Sequence, residues 1–394
     1  MPEIKTCPNC LKGDMTVFYQ VPRVPVHSVL QMPTREIAVS FPKGDIALGH
    51  CSHCGFIANT VFDPTVHNYS GDYEETQGFS GTFQAFHHRL AKELIDKYDL
   101  HGKKMIEIGC GKGEFLSLLC EMGNNSGVGF DPAFVSERNP SAGDAKVEFV
   151  ADFYGEKYAH VQGDFVCCKM TLEHIPDTAN FVRTVRRSVG DRYDTVIFFQ
   201  VPDMTRVLKG LAFWDVYYEH CSYFSADSLS LLFKEQGFDV MDVWTDYDGQ
   251  YLMISAKPSR VPASSVAKPD PAEMIKDIQY FTEHQAIRMA SWKSKLAETR
   301  NSGKKAVIWG SGSKGVAFLT ALSMHTPGCE IEYAVDINPF REGKYMAGTG
   351  QEIVSPAFLK RYKPDLAIAM NPIYQTEIKA DLEKMGLSTE VVSV

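Results

Sequence analysis

No run of apolar residues in this 394-residue chain reaches the length of about 20 that a membrane-spanning helix requires, so no membrane partner is expected. Long Lys/Arg tracts are absent as well, and the formal charge is -9. That balance weighs against a nucleic-acid partner, although it leaves room for a small basic pocket. The opening residues, Met1-Pro2-Glu3-Ile4-Lys5, lack the apolar stretch of a signal peptide, and the expected compartment is the cytoplasm. No low-complexity tract interrupts the chain. Six of the ten cysteines (Cys110, Cys120, Cys167, Cys168, Cys221 and Cys329) follow no spacing rule, as expected of thiols in a reducing compartment. An ordinary apolar fraction of 44% remains, on a length that calls for two or three domains.

The other four cysteines are patterned. Cys7/Cys10 and Cys51/Cys54 form two C-x-x-C pairs. Each pair can supply two thiolates from a tight knuckle, and four thiolates satisfy the tetrahedral preference of Zn²⁺. His50 and His53 flank the second pair as substitute ligands, but they break the paired symmetry. A closed four-sulfur site has no open position for water, so the expected zinc is structural.

From about residue 83 the pattern changes. A helix is predicted over 83–99, with Phe86, Leu90, Leu94 and Ile95 near one face. Strands are then predicted at 104–108, 127–131, 147–151, 165–168 and 195–200, with helices at 114–122, 178–189 and 226–236. Two further strands, 238–243 and 251–256, are expected to close the sheet in antiparallel fashion. The rhythm is that of a doubly wound α/β domain, whose ligand lies at the carboxyl ends of the strands.

Glu107 stands near the end of the first of those strands, one residue, Ile108, before Gly109-Cys110-Gly111-Lys112-Gly113. Glycine at every second place lets a ligand approach the backbone. Glu107 can receive the amino group of S-adenosylmethionine. Asp131, ending the next strand, can take both ribose hydroxyls. Asp152 can meet the adenine amine, and Phe130 or Phe153 can pack on its ring. A dinucleotide is the rival ligand, but the tight Gly-x-Gly-x-Gly after Glu107 favours the methyl donor.

Two segments can face an acceptor. Leu172-Glu173-His174-Ile175 follows the fourth strand, where Glu173 or His174 can touch substrate. Tyr217-Tyr218-Glu219-His220-Cys221-Ser222-Tyr223-Phe224 follows the fifth. There His220 can act as a base, Glu219 can orient it or bind acceptor hydroxyls, and Tyr223 can donate to a developing oxyanion.

After a linker-like stretch at 258–270 and a long predicted helix at 272–300, a second α/β unit begins. Its loop Gly310-Ser311-Gly312-Ser313-Lys314-Gly315, with Asp336 ending the next strand, matches the dinucleotide fingerprint. Nicotinamide chemistry, a nucleotide-like part of an acceptor, and a purely structural loop all remain open here.

Taken together, the chain resembles the sugar C-methyltransferase family over nearly its whole length. The resemblance rests on the two cysteine pairs, on Glu107 through Gly113, on Glu219-His220-x-x-Tyr223-Phe224, and on Val335-Asp336-Ile337-Asn338-Pro339 with Gly348-Thr349-Gly350. It implies a zinc-binding module (1–68), a class I S-adenosylmethionine domain (69–257), and, beyond the linker, a C-terminal Rossmann-like α/β domain (271–394). It also implies carbon methylation of a nucleotide-linked keto-deoxysugar through an enolate, with a tyrosine, Tyr69 or Tyr73, reaching the active site. Tyr218 departs from the family, where a His commonly precedes the Glu-His pair. An O- or N-methyltransferase of a related metabolite is therefore the alternative reading.

Overall fold

The computed structural model describes residues 6–30, 32–66, 72–139, 146–261 and 270–394. Tyr69 and most of the linker-like stretch lie outside them. The described residues form three sheets.

The first is built from strand β1 (Met15–Pro25), a short helix α1 (Arg35–Ser40), strand β2 (Lys43–Cys51) and strand β3 (Ile57–Asn59). Antiparallel pairing of β1 with β2 places Met15 opposite Cys51. The long interval between the two cysteine pairs is thereby folded back on itself, and the knuckles meet.

Helix α2 (Gly81–Tyr98) starts where the Ser80 side chain accepts the Phe83 N–H, satisfying one of the donors that a helix start leaves unpaired. Its buried stripe runs through Phe83, Phe86, Leu90, Leu94 and Ile95. The chain continues through β4 (Lys104–Ile108), α3 (Glu114–Gly123), β5 (Ser126–Phe130), β6 (Val147–Val150), β7 (Phe165–Lys169), α4 (Thr178–Val189), β8 (Val196–Pro202), α5 (Met204–Lys209), β9 (Ser222–Tyr223), α6 (Ala226–Glu235), β10 (Phe238–Asp246) and β11 (Tyr251–Pro258). Seven of these strands form the second sheet, in the order β10-β11-β8-β7-β4-β5-β6. Strands β4 to β8 within it run parallel, and β10 and β11 close it antiparallel as expected. The strand order reverses between β4 and β7, which opens the crevice where such sheets hold ligands.

Strand β9 does not join this sheet. It pairs with β3, placing Tyr223 opposite Ile57 and Ser222 opposite Ala58, and so becomes the fourth strand of the N-terminal sheet. A two-residue strand has no periodicity to read, and its partner lies far away in sequence.

Helix α7 (Ala272–Asn301) leads into the third sheet. It packs Phe281 on Tyr19 of β1 at 5.1 Å between ring centroids and Trp292 on Phe318 at 5.4 Å. The last unit holds β12 (Ala306–Trp309), α8 (Ser313–Ala321), β13 (Ile331–Val335), β14 (Glu352–Val354), α9 (Leu359–Tyr362), β15 (Leu366–Ala369), α10 (Gln375–Lys384) and β16 (Glu390–Ser393). Its five strands are all parallel, in the order β14-β13-β12-β15-β16.

A strap at 73–80 ties the units together. The buried Glu74 carboxylate accepts both guanidinium nitrogens of Arg138, at 2.5 and 2.9 Å, and the Asn338 side-chain amide at 2.8 Å. Arg341 donates to the Glu74 carbonyl. Two-pronged, charge-assisted contacts of this kind fix orientation as well as attraction.

Candidate active site

The four cysteine sulfurs converge, with Cys7 to Cys54 and Cys10 to Cys51 each at 3.7 Å. Four sulfurs about 2.3 Å from a tetrahedral Zn²⁺ stand about 3.8 Å apart, so the cluster has the dimensions of a structural zinc site. The side-chain amide of Asn9 lies 3.9 Å from the Cys54 sulfur, and the His53 N–H donates to the Cys51 sulfur at 3.3 Å. The His50 ring is turned to the Thr16 carbonyl, 3.2 Å away. Sulfur alone therefore forms the donor set.

A single cavity of about 700 Å³ is lined by both glycine loops. On one side it meets Glu107, Gly109, Gly111 and Asp131; on the other, Gly310, Gly312, Lys314 and Asp336. The two aspartates are held alike. Asp131 accepts the Gly111 N–H at 2.9 Å and the Ala133 N–H at 2.7 Å. Asp336 accepts the Ser311 N–H at 3.0 Å and the Asn338 N–H at 2.9 Å. Each carboxylate is thus fixed by its own glycine loop at the end of the second strand of a parallel sheet, with lone pairs left for ligand hydroxyls.

Gly109 leaves no space for a side chain. Its φ is +69°, and a Cβ there would lie 1.9 Å from the Thr171 hydroxyl oxygen. Gly109→Ala should therefore destabilise the protein by about 2–4 kcal/mol and weaken S-adenosylhomocysteine binding at least about tenfold as the loop shifts. Thermal melting and calorimetric titration would check this, and a variant with unchanged affinity would detach the loop from donor binding.

Phe130 and Phe153 both line the cavity. Phe130 is otherwise buried, packed on Tyr154 and Tyr158, with its ring 4.7 Å from that of Tyr158, whereas Phe153 is 60% exposed. Asp152 is the correction: it is turned out onto Lys157 and Tyr158 and does not line the cavity.

The acceptor strip divides in the same way. His220 lines the cavity together with Glu173, His174 and Tyr217. The Tyr217 hydroxyl lies 2.9 Å from His220 Nε2, and the His174 and His220 rings meet edge to face at 4.8 Å. Burial holds His220 well below the ordinary histidine range, with His174 and Lys314 adding to the effect, so the imidazole is neutral. Burial also lowers His174 to about 4 and raises Glu173 to about 8. Neither Glu173 carboxyl oxygen has a hydrogen-bond partner among the described residues, and Oε1 lies 3.9 Å from His220 Nε2.

Glu219 and Tyr223 are corrections. Glu219 points away from His220 and accepts the Ser28 N–H at 3.0 Å and the Ser28 hydroxyl, with His27 at 3.5 Å. Burial would raise this carboxyl, but His27 and Ser28 outweigh it and keep it low. Tyr223 is buried, and its hydroxyl lies 3.4 Å from the Tyr217 carbonyl. Membership of β9 draws it into the N-terminal sheet, so neither residue faces an acceptor. Tyr217, three residues before His220, stands in the place expected of them; its spacing was the signal in the sequence. Tyr218, the departure from the family pattern, packs on Phe62 and accepts the Asp63 N–H at 2.9 Å, outside the cavity wall. Tyr73 lines the cavity.

Residues 79–243 match the model of a methyltransferase domain, and residues 262–389 that of a C-methyltransferase C-terminal domain. The chain is an S-adenosylmethionine-dependent methyltransferase, of class I architecture with a small N-terminal four-cysteine zinc-binding module. Within that class it is homologous to the C-methyltransferase NovU of Streptomyces niveus, 28% identical over 352 residues, which cover 83% of this chain and 80% of the relative. A ubiquinone biosynthesis O-methyltransferase of Citrobacter koseri is 30% identical over 151 residues, covering 33% of this chain and 61% of its own length. A solved 1,6-didemethyltoxoflavin-N1-methyltransferase of Burkholderia thailandensis aligns at 16% identity and a TM-score of 0.35, covering 44% of this chain and 78% of its own. Among the described residues no helix is long and apolar enough to cross a membrane.

Proposed function

We propose that the enzyme methylates a carbon of a nucleotide-linked keto-deoxysugar. The observation that carries this reading is the pair of matched loop-and-aspartate sites lining one cavity. One suits the nucleoside of the methyl donor, with Glu107, Gly109, Gly111, Gly113 and Asp131 around it. The other suits the nucleoside of the acceptor, with Asp336 toward its ribose and the head of α8 toward its phosphates. His220, Tyr217, Glu173 and His174 line the same space.

The chemistry follows from those groups. A ketone acidifies the neighbouring C–H. Neutral His220 takes that proton at Nε2, and the electron pair delocalises onto the ketone oxygen as an enolate. The Tyr217 O–H, displaced from Nε2, donates to that oxygen, as can neutral Glu173. The enolate carbon then bonds to the sulfonium methyl as the sulfur–carbon bond breaks, leaving S-adenosylhomocysteine and a protonated imidazole. Placing both reactants in one cavity supplies much of the acceleration. Homology to the C-methyltransferase supports carbon as the target. The match to an O-methyltransferase, over 151 residues, keeps oxygen or nitrogen as the alternative.

Proton exchange separates the two. The enzyme, saturated with S-adenosylhomocysteine and given a nucleotide-linked 4-keto-6-deoxyhexose in D₂O, should wash out the proton on the carbon beside the ketone, read by NMR. Absence of exchange, with a ¹³C-labelled methyl found on oxygen or nitrogen, would establish the alternative.

A further inference from the structure

Two buried ionisable groups of opposite sign, Glu107 and Lys169, stand at the carboxyl ends of β4 and β7; burial raises Glu107 and lowers Lys169, and each opposes the other's shift. Side chains alternate along a strand, and Glu107 shares a sheet face with Met105 as Lys169 does with Phe165 and Cys167. Both therefore point to the side covered by α2 and α3, and both line the cavity beside the first glycine loop. Glu107 is 3% exposed, and its Oε2 has no hydrogen-bond partner among the described residues.

Lys169 is 8% exposed. Its ammonium rests 3.1 Å from His87 Nε2 and 3.4 Å from the centroid of the Phe115 ring, and it forms no ion pair with a carboxylate among the described residues. Burial, with Lys169 adding to it, holds His87 down at about 2, so the imidazole is neutral and its Nε2 can accept a hydrogen bond from Lys169 Nζ. Lys169 and Glu107 each favour the other's charged form, yet the two form no ion pair among the described residues, so both head groups are left to a ligand of opposite charge.

We propose that Lys169, positioned by His87 and Phe115, binds the carboxylate of the donor's methionine end, while Glu107 takes its ammonium. The zwitterion of an amino acid carries the two charges that these residues lack. The order of the strands agrees: Asp131 ends β5, on the far side of β4 from β7, so the ribose and the amino-acid end lie on opposite sides of β4. This assignment rests on the methyl-donor reading of the cavity and adds the group that distinguishes the donor from a plain nucleoside.

The test compares three ligands on the full-length protein by calorimetry: S-adenosylhomocysteine, its decarboxylated analogue, and 5′-methylthioadenosine, which lacks the whole amino-acid end. Lys169→Met should weaken S-adenosylhomocysteine about 30-fold, the scale of a charge-assisted hydrogen bond. It should change 5′-methylthioadenosine binding less than about threefold. In the wild type the decarboxylated analogue should be weaker than S-adenosylhomocysteine by a similar factor, and in Lys169→Met that difference should vanish. Equal losses for all three ligands, or none, would overturn the assignment. Where the variant does not fold, the wild-type comparison still decides: equal affinity for the two homocysteine ligands would overturn it. Failure of wild type to bind S-adenosylhomocysteine at all would instead remove the donor site, and this assignment with it.

Discussion

His220→Ala should slow methyl transfer by about 10³-fold or more, within the range lost with a general base, while S-adenosylhomocysteine affinity stays within about threefold. The site dictates both halves of that result. His220 lines the cavity on the strip that leaves the middle sheet after β8, whereas Asp131, proposed to hold the donor's ribose, follows β5. Alanine removes the nitrogen that receives the proton and leaves the Tyr217 hydroxyl without its acceptor. It leaves the glycine loop and its aspartate untouched. Exchange of the acceptor's proton into D₂O should stop in parallel with turnover, because both need the same proton transfer. Turnover near that of the wild type would sink the base assignment. Loss of exchange with retained donor affinity would place the defect in chemistry.

Removing the metal should have a still wider effect. Purified protein should contain one zinc per chain by elemental analysis, and protein never exposed to chelator yet free of zinc would count against the site. Cys54→Ser should lose the metal and melt well below the wild type, because structural zinc contributes on the order of 10 kcal/mol to small domains that depend on it. The N-terminal sheet has few other ways to hold its two knuckles together. The consequence should reach the cavity, although no cysteine of the cluster lines it. Strand β9 pairs with β3 directly after His220, and the Cys221 N–H donates to the Glu173 carbonyl at 3.0 Å. A loosened N-terminal sheet therefore releases the segment that aims His220. Zinc-depleted protein should lose turnover at temperatures where the middle sheet, followed by S-adenosylhomocysteine binding, is still folded. Full activity after verified loss of zinc would separate the two sites.

Much of the architecture is legible in the residues. The parallel strands announce themselves as short apolar runs, α2 by its stripe from Phe86 to Ile95, and the antiparallel end of the sheet by two adjacent runs. These signals are local, and local patterning sets which face of an element is buried. The cysteine pairs and the first glycine loop are legible for a similar reason: their chemistry needs particular residue types at fixed short spacings.

The wall of the cavity is less legible. Glu219, His220 and Tyr223 stand together in sequence, and nothing in their order tells which of them faces the acceptor. Pairing of β9 with β3 decides it, sending Tyr223 into the N-terminal sheet and Glu219 to Ser28 and leaving Tyr217 beside His220. Glu74 looks like one more surface carboxylate, yet it joins Arg138 of one unit to Asn338 and the backbone contact of Arg341 from another. Lys169 ends a strand as any lysine might, and only the packing of α2 and α3 buries it beside the first glycine loop.

By itself the sequence determined the elements, the two cysteine knuckles and the first glycine loop, because each depends on neighbours a few residues away; the convergence of the knuckles is a product of the pairing of β1 with β2. Which polar groups share the cavity, and that the two glycine loops open onto it together, only the tertiary structure decided. Those relations come from contacts between segments far apart in the chain, and side-chain direction there is set by the partner that each segment meets.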